Sequence, residues 1–145
     1  MNPPVLISAC LTGRNCRYDG GHKRNIPLLS LLSTHEIIAF CPEEAGGLPT
    51  PRPKAYIDGG TGSDVWQHKA CVTDEEGRDV TEKFKCGARA GADLAKRMNI
   101  TTAYLQNKSP SCGWGRIKNR EQLVSGNGVT AELLQQIGLN IIPVE

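Results

Sequence analysis

The sequence predicts an α/β fold: a single domain of 145 residues with a mostly parallel sheet and helices on both faces, a Rossmann-like three-layer arrangement. The main observation behind this is alternation. Short apolar runs exchange with longer amphipathic stretches along the chain, the pattern of strands joined by crossover helices. Length is the second, because a chain of this size buries one substantial core. The third is that neither a repeat nor a linker breaks the alternation.

The elements follow in order. Val5-Leu-Ile-Ser-Ala9 is a short apolar run and reads as a buried strand. Ile26-Pro27-Leu28 opens a helix, since Pro27 suits a first turn, and Leu28, Leu31 and Leu32 fall on one face. Glu36-Ile-Ile-Ala-Phe40 reads as the second strand. Residues 42–69, rich in glycine and proline, read as a long irregular segment, the kind that is functional or mobile. Residues 70–78 suit a hairpin turning near Glu75-Glu76-Gly77. Asp79 with Glu82 makes a capping-box-like start for a helix over about 80–98. Val80, Phe84, Ala88, Ala92, Ala95 and Met98 recur in it at helical spacing, and Lys96 and Arg97 sit at the end that favours positive charge. Thr101-Thr-Ala-Tyr-Leu-Gln106 reads as a strand and Gly126-Asn-Gly128 as a turn. Thr130 is placed to cap a short helix carrying Leu133, Leu134 and Ile137 and closed by Gly138. Leu139-Asn-Ile-Ile-Pro-Val144 is the last strand.

A net charge of +2 argues against a nucleic acid polymer or a membrane as the main partner. The first residues lack a basic segment followed by a long apolar one, so no signal peptide is expected, and no stretch reaches transmembrane length. A cytoplasmic protein is the expectation. Six cysteines stand out: Cys10, Cys16, Cys41, Cys71, Cys86 and Cys112. In a reducing compartment such a set binds metal or does chemistry more often than it forms disulfides.

On the predicted map, Cys10 follows the first strand, Cys41 follows the second, and Cys112 lies in the loop after the strand at 101–106. Ligands of an open parallel sheet bind beyond the carboxyl ends of its strands, so topology brings these three to one edge. Cys71 and Cys86 fall outside that pattern and read as structural thiols. Cys16 is either a redox partner of Cys10 or a buried loop thiol, with the structural role favoured. Structural zinc wants four ligands and close Cys-x-x-Cys pairs, which this sequence lacks. A cubane cluster can be assembled from distant cysteines, and three protein ligands leave one iron open to a substrate. Glu43 and Glu44 lie close to Cys41, and either can handle a proton there. Lys108, Ser109 and Ser111 bring a cation and two hydroxyls beside Cys112, suited to a ring carbonyl, although serine and proline also serve turns.

These residues sit in ordered motifs. They are Ile7-Ser-Ala-Cys-Leu-Thr-Gly13 with Cys16-Arg-Tyr-Asp-Gly20, Cys41-Pro-Glu-Glu-Ala-Gly-Gly-Leu48 with Pro51-Arg52-Pro53, Gly77-Arg-Asp-Val-Thr81, Lys108-Ser-Pro-Ser-Cys-Gly113, and Gly126-Asn-Gly-Val-Thr130. The set closely resembles the TudS thiouracil desulfidase family, long known as a domain of unknown function, over nearly the whole chain. The resemblance implies a 4Fe–4S cluster on Cys10, Cys41 and Cys112, with the fourth iron taking the substrate's sulfur. It implies Glu43 and Ser109 as catalytic residues beside the cluster, and a small thiolated nucleobase or nucleotide as the partner: 4-thiouracil, 2-thiouracil or 4-thiouridine monophosphate. One departure is Pro53-Lys54-Ala55-Tyr56, where the family tends toward Pro-Ala-Glu, which bears on the choice between base and nucleotide. Two rival readings are a metal- or cluster-binding module without catalysis, and a thiol redox enzyme using Cys10 and Cys16.

Overall fold

The apolar runs become a central sheet around an inner strand, Val5–Ser8, that is buried throughout. The computed structural model describes residues 3–145. In chain order the elements are β1 (Val5–Ser8), α1 (Ile26–Leu31), β2 (Ile37–Phe40), α2 (Pro42–Ala45), β3 (Ala55–Asp58), α3 (Gly62–Trp66), β4 (Cys71–Asp74), α4 (Thr81–Arg97), β5 (Thr102–Gln106), β6 (Arg116–Asn119), β7 (Gln122–Ser125), α5 (Val129–Gln136) and β8 (Asn140–Val144). One turn of 3-10 helix, Ala9–Thr12, follows β1. The central sheet has the order β2-β1-β5-β8 with every pairing parallel.

Successive strand residues point to opposite faces. Leu6, Ala103, Leu105 and Ile141 pack on one side against Ala92 and Ala95 of α4 and Ala131 and Leu134 of α5. Val5 and Ile7 pack on the other side with Leu32, and with Leu28 and Leu29 of α1. Both faces are covered, as a parallel sheet requires. The fold is the α/β three-layer, Rossmann-like arrangement that the alternation predicts.

The segment 42–69 differs from its reading as an irregular loop, since it holds α2, β3 and α3. Local chemistry explains each. Pro42 occupies the first position of α2. Asp64 starts α3 by accepting the Thr61 N–H at 2.9 Å. β3 takes β4 as its antiparallel partner, from Ala55↔Asp74 to Asp58↔Cys71. The strand at 71–74 thus pairs mainly backward along the chain, and the turn at 75–77 returns only a single bridge, Thr73↔Asp79. A third apolar group, including Ile57, Val72, Phe84 and Ile117, joins this layer to the start of α4.

The turn after β4 is organised by buried Asp74, whose carboxylate accepts the N–H groups of Glu76 and Arg78 at 2.9 and 3.0 Å and Arg78 Nε at 3.0 Å. Burial pushes the Asp74 carboxyl up, and the Arg78 and Glu76 hydrogen bonds more than offset it, leaving the carboxyl below the usual range. A lowered carboxyl contributes stability above its unfolded value of about 3.9, lost as pH falls through the folded one. Asp74→Asn is therefore expected to lower stability at neutral pH, with a deficit that narrows below about pH 4 in denaturant titrations.

The short helix α2 lies against α4 at a glycine contact. A side chain at Gly87 would strike the Pro42 carbonyl, and one at Gly46 would strike the Lys83 carbonyl. This close approach holds Cys41 and the first turn of α2 in place. Gly87→Ala is expected to cost about 1–3 kcal/mol through overpacking, read as a lower melting temperature.

Three details depart from the pattern reading. Leu31 is exposed, and Leu29 takes the inward place beside Leu28. Gly128, not Thr130, stands at the N-cap of α5; Thr130 is buried inside the helix. The hairpin of β6 and β7 was not expected, because its strands are polar and its turn lacks an Asn-Gly or Asp-Gly signal; Arg120 adopts φ +58° there instead.

Candidate active site

Strand ends deliver the site. The chain runs outward from β1 to β2 on one side and from β5 to β8 on the other, so the strand order reverses between β1 and β5. The crevice at such a reversal is where open α/β sheets bind ligands. Cys10 sits in the 3-10 turn after β1, which Gly13 ends with φ +100°. Cys41 follows β2 directly and stands at the N-cap of α2. Cys112 lies in the loop after β5. All three are buried and line one cavity of about 720 Å³.

Cys16 joins them. The segment that carries it folds back over the 3-10 turn through Lys23 N–H to the Cys10 carbonyl at 2.9 Å and Asn25 N–H to the Leu11 carbonyl at 3.0 Å. Cys41 Sγ donates to the Cys16 carbonyl at 3.7 Å. The two sulfurs and a Glu44 carboxylate oxygen lie within 4.8 Å of one another. Cys16 is buried, and its sulfur belongs to the thiol group at the cavity. Cys71 is half-buried in β4 and Cys86 is exposed on α4; neither lines this cavity.

The two glutamates of α2 have separate partners. Glu43 pairs with Arg52 Nη2 at 2.8 Å, and the Arg52 side chain is almost fully buried. The same Nη2 donates to the Cys16 carbonyl at 2.8 Å, while Nη1 donates to Thr50 Oγ1 at 2.9 Å and the Pro49 carbonyl at 3.2 Å. Arg52 thus ties the segments at 16 and 49–50 to one carboxylate. Its role was missed in the sequence, although Pro51-Arg52-Pro53 was visible as a motif. Arg52→Ala is expected to cost about 2–3 kcal/mol from the lost charged hydrogen bonds, read by denaturant unfolding. Glu44 accepts from Arg14 Nη2 at 2.8 Å and from Thr50 Oγ1 at 2.7 Å.

The loop 108–113 is built against the start of α5. The Pro110 carbonyl accepts the Val129 N–H at 2.8 Å, and the Ser111 carbonyl accepts those of Thr130 and Ala131 at 2.9 and 3.1 Å, satisfying first-turn donors of the helix. A side chain at Gly128 would strike the Ser111 carbonyl, which accounts for the glycine. Ser109 Oγ accepts the Cys112 N–H at 2.8 Å, and Ser109 lines the cavity. Lys108 also lines it and pairs with Glu145 at 3.0 Å. Ser111 is fully buried with its hydroxyl paired to Thr130 Oγ1 at 2.8 Å, so it supports the Cys112 loop and is absent from the cavity wall.

Thiol contacts and burial hold Cys16, Cys41 and Cys112 neutral. Contact with the Cys10 thiol pushes Cys16 up to about 11, partly offset by contact with Cys41, with burial adding to the rise. Contact with Cys16, burial and the Glu43 charge push Cys41 higher still. Burial, reinforced by the Glu43 charge, pushes Cys112 up to about 12. Buried thiols converging on one cavity suit a cationic group with affinity for sulfur, which binds them as thiolates and displaces their protons. The donor chemistry therefore fits an iron–sulfur cluster.

The model of the 2-thiouracil desulfurase family matches residues 5–145. The uncharacterized protein YbbK of Bacillus subtilis (strain 168) is 40% identical over 141 residues, covering 95% of this chain and 93% of that protein. The solved structure of a [4Fe-4S]-dependent thiouracil desulfidase, TudS, superposes with a TM-score of 0.85 at 38% identity, covering 98% of this chain and 91% of that chain. A match that runs from β1 through β8 takes in the whole of the central sheet: the chain belongs to the 2-thiouracil desulfurase family.

Proposed function

We propose that this protein is a desulfidase that replaces the sulfur of a thiolated uracil with oxygen and releases sulfide, using a 4Fe–4S cluster held by Cys10, Cys41 and Cys112. The observation that carries the reading is the meeting of three buried strand-end thiols with an arginine-fixed glutamate at the reversal of strand order. The 38% identity to the TudS desulfidase over 98% of the chain supports it. When bound, a cluster on three thiolates supplies an open iron, a soft Lewis acid for a thiocarbonyl sulfur.

The chain's own residues supply the rest. Glu43, fixed by Arg52, takes a proton from the water that adds at the ring carbon and returns one to the departing sulfur. Ser109 Oγ accepts from the Cys112 backbone, which leaves its own O–H free to donate to a ring carbonyl. The balance is thiocarbonyl plus water giving carbonyl plus hydrogen sulfide, with no electron transferred. Lys54 and Arg120 line the same cavity and favour a nucleotide monophosphate over the free base. Free cysteines suit a reducing cytoplasm. Among the described residues no helix is long and apolar enough to cross a membrane.

The test is an anaerobic assay of sulfide and of the oxo product from 4-thiouracil, 2-thiouracil and 4-thiouridine monophosphate. Release of both in equal amounts, fastest with the monophosphate, is expected. Loss of the thio substrate without sulfide would contradict the reaction, and equal rates for base and nucleotide would contradict the substrate choice.

A further inference from the structure

We propose that Cys16, Cys41 and Glu44 form a site for a single soft divalent cation, zinc in the first instance, whose ligand set differs from that of the cluster and competes with it for Cys41. The ligand atoms of these three residues lie within 4.8 Å of one another. Bonds of about 2.3 Å to sulfur and about 2.0–2.2 Å to oxygen span such separations from one central ion. Both sulfurs are buried, and the Glu44 side chain is mostly so.

The carboxylate is already oriented. Arg14 holds Oε1 at 2.8 Å and Thr50 holds Oε2 at 2.7 Å. Each oxygen accepts one hydrogen bond and retains a lone pair for an ion. Outer partners of this kind fix a metal ligand's direction. Cys16 is fixed in turn by Arg52 Nη2, which donates to its carbonyl at 2.8 Å. Water completes the coordination, as in open zinc sites.

Two thiolates and a carboxylate make a set that zinc accepts. Cys112 and Ser109 lie in the loop after β5, outside the group formed by Cys16, Cys41 and Glu44, and take no part in the ion site. Only the competition with the cluster rests on the desulfidase reading; the ion site stands on its own geometry. Because Cys41 serves both sets, the chain holds either the ion or the cluster, and bound zinc blocks cluster assembly.

The experiment titrates zinc into the reduced, metal-free full-length chain against a chromophoric chelator, then attempts cluster assembly and reads iron content and visible absorbance. Cys16→Ser and Glu44→Gln are expected to weaken zinc binding roughly 10- to 100-fold, at least what loss of an outer partner costs, and to leave cluster assembly intact. Cys112→Ser is expected to bind zinc as the wild type does and to lose the cluster. Wild-type zinc affinity in Cys16→Ser would overturn the ion site, as would an equal loss in Cys112→Ser. Zinc and cluster bound together would overturn the competition. Zinc binding that depends on Cys16, in a chain that assembles no cluster under any condition, would uphold the ion site and reject the desulfidase reading instead.

Discussion

Cys41→Ala is expected to abolish cluster binding and sulfide release together, leaving the fold in place. Cys41 occupies the N-cap of α2 through its backbone, and its thiol donates to the Cys16 carbonyl at 3.7 Å and lies beside the Cys16 thiol and Glu44. Alanine keeps that backbone and loses a small buried side chain, so circular dichroism should be unchanged. On the proposed ligand set two thiolates then remain, too few to retain a cubane in a site that leaves one iron open. Activity should fall to the uncatalysed background, with iron content falling in parallel. Cys71→Ala is the control, since Cys71 lies outside the cavity, and should retain both. Full iron content in Cys41→Ala would remove Cys41 from the ligand set.

Glu43→Gln is expected to keep the cluster and lose most turnover. Glutamine retains the shape and an oxygen that can still accept from Arg52, so the tie among the segments at 16, 43 and 50 survives. What disappears is a carboxylate able to hold a proton. Positioned proton transfer contributes about 10²- to 10⁴-fold, and kcat should fall by that order with KM little changed. Glu44→Gln should have a smaller effect, because Glu44 is held by Arg14 and Thr50 beside Cys16. Full rate in Glu43→Gln would move the proton-handling role elsewhere.

The parallel sheet was legible because its strands are short apolar runs and α4 carries a long, clean apolar stripe. The edge that collects Cys10, Cys41 and Cys112 followed from strand order, since Cys10 and Cys41 lie just beyond strands and Cys112 in the loop after β5. The layer from 42 to 69 was not legible. Its pieces, α2, β3 and α3, are four or five residues long and are held by tertiary contacts: the glycine contact with α4, the pairing of β3 with β4, and the Asp64 cap. Periodicity has nothing to register over such lengths. Arg52 escaped for a related reason. Its importance lies in three partners that the chain brings from residues 16, 43 and 49–50, and no local spacing encodes that convergence. Thr130 looked like a cap because threonine before an apolar run usually is one; its hydroxyl instead pairs with Ser111 from a distant loop.

The central claim is that the reaction depends on a cluster held by these thiols. It is tested most directly by preparing the wild-type chain at graded cluster contents under anaerobic conditions and measuring sulfide release from 4-thiouridine monophosphate against bound iron. The account predicts a rate proportional to cluster content that extrapolates to zero in the cluster-free chain. A rate independent of iron, or full activity in the metal-free protein, would contradict it.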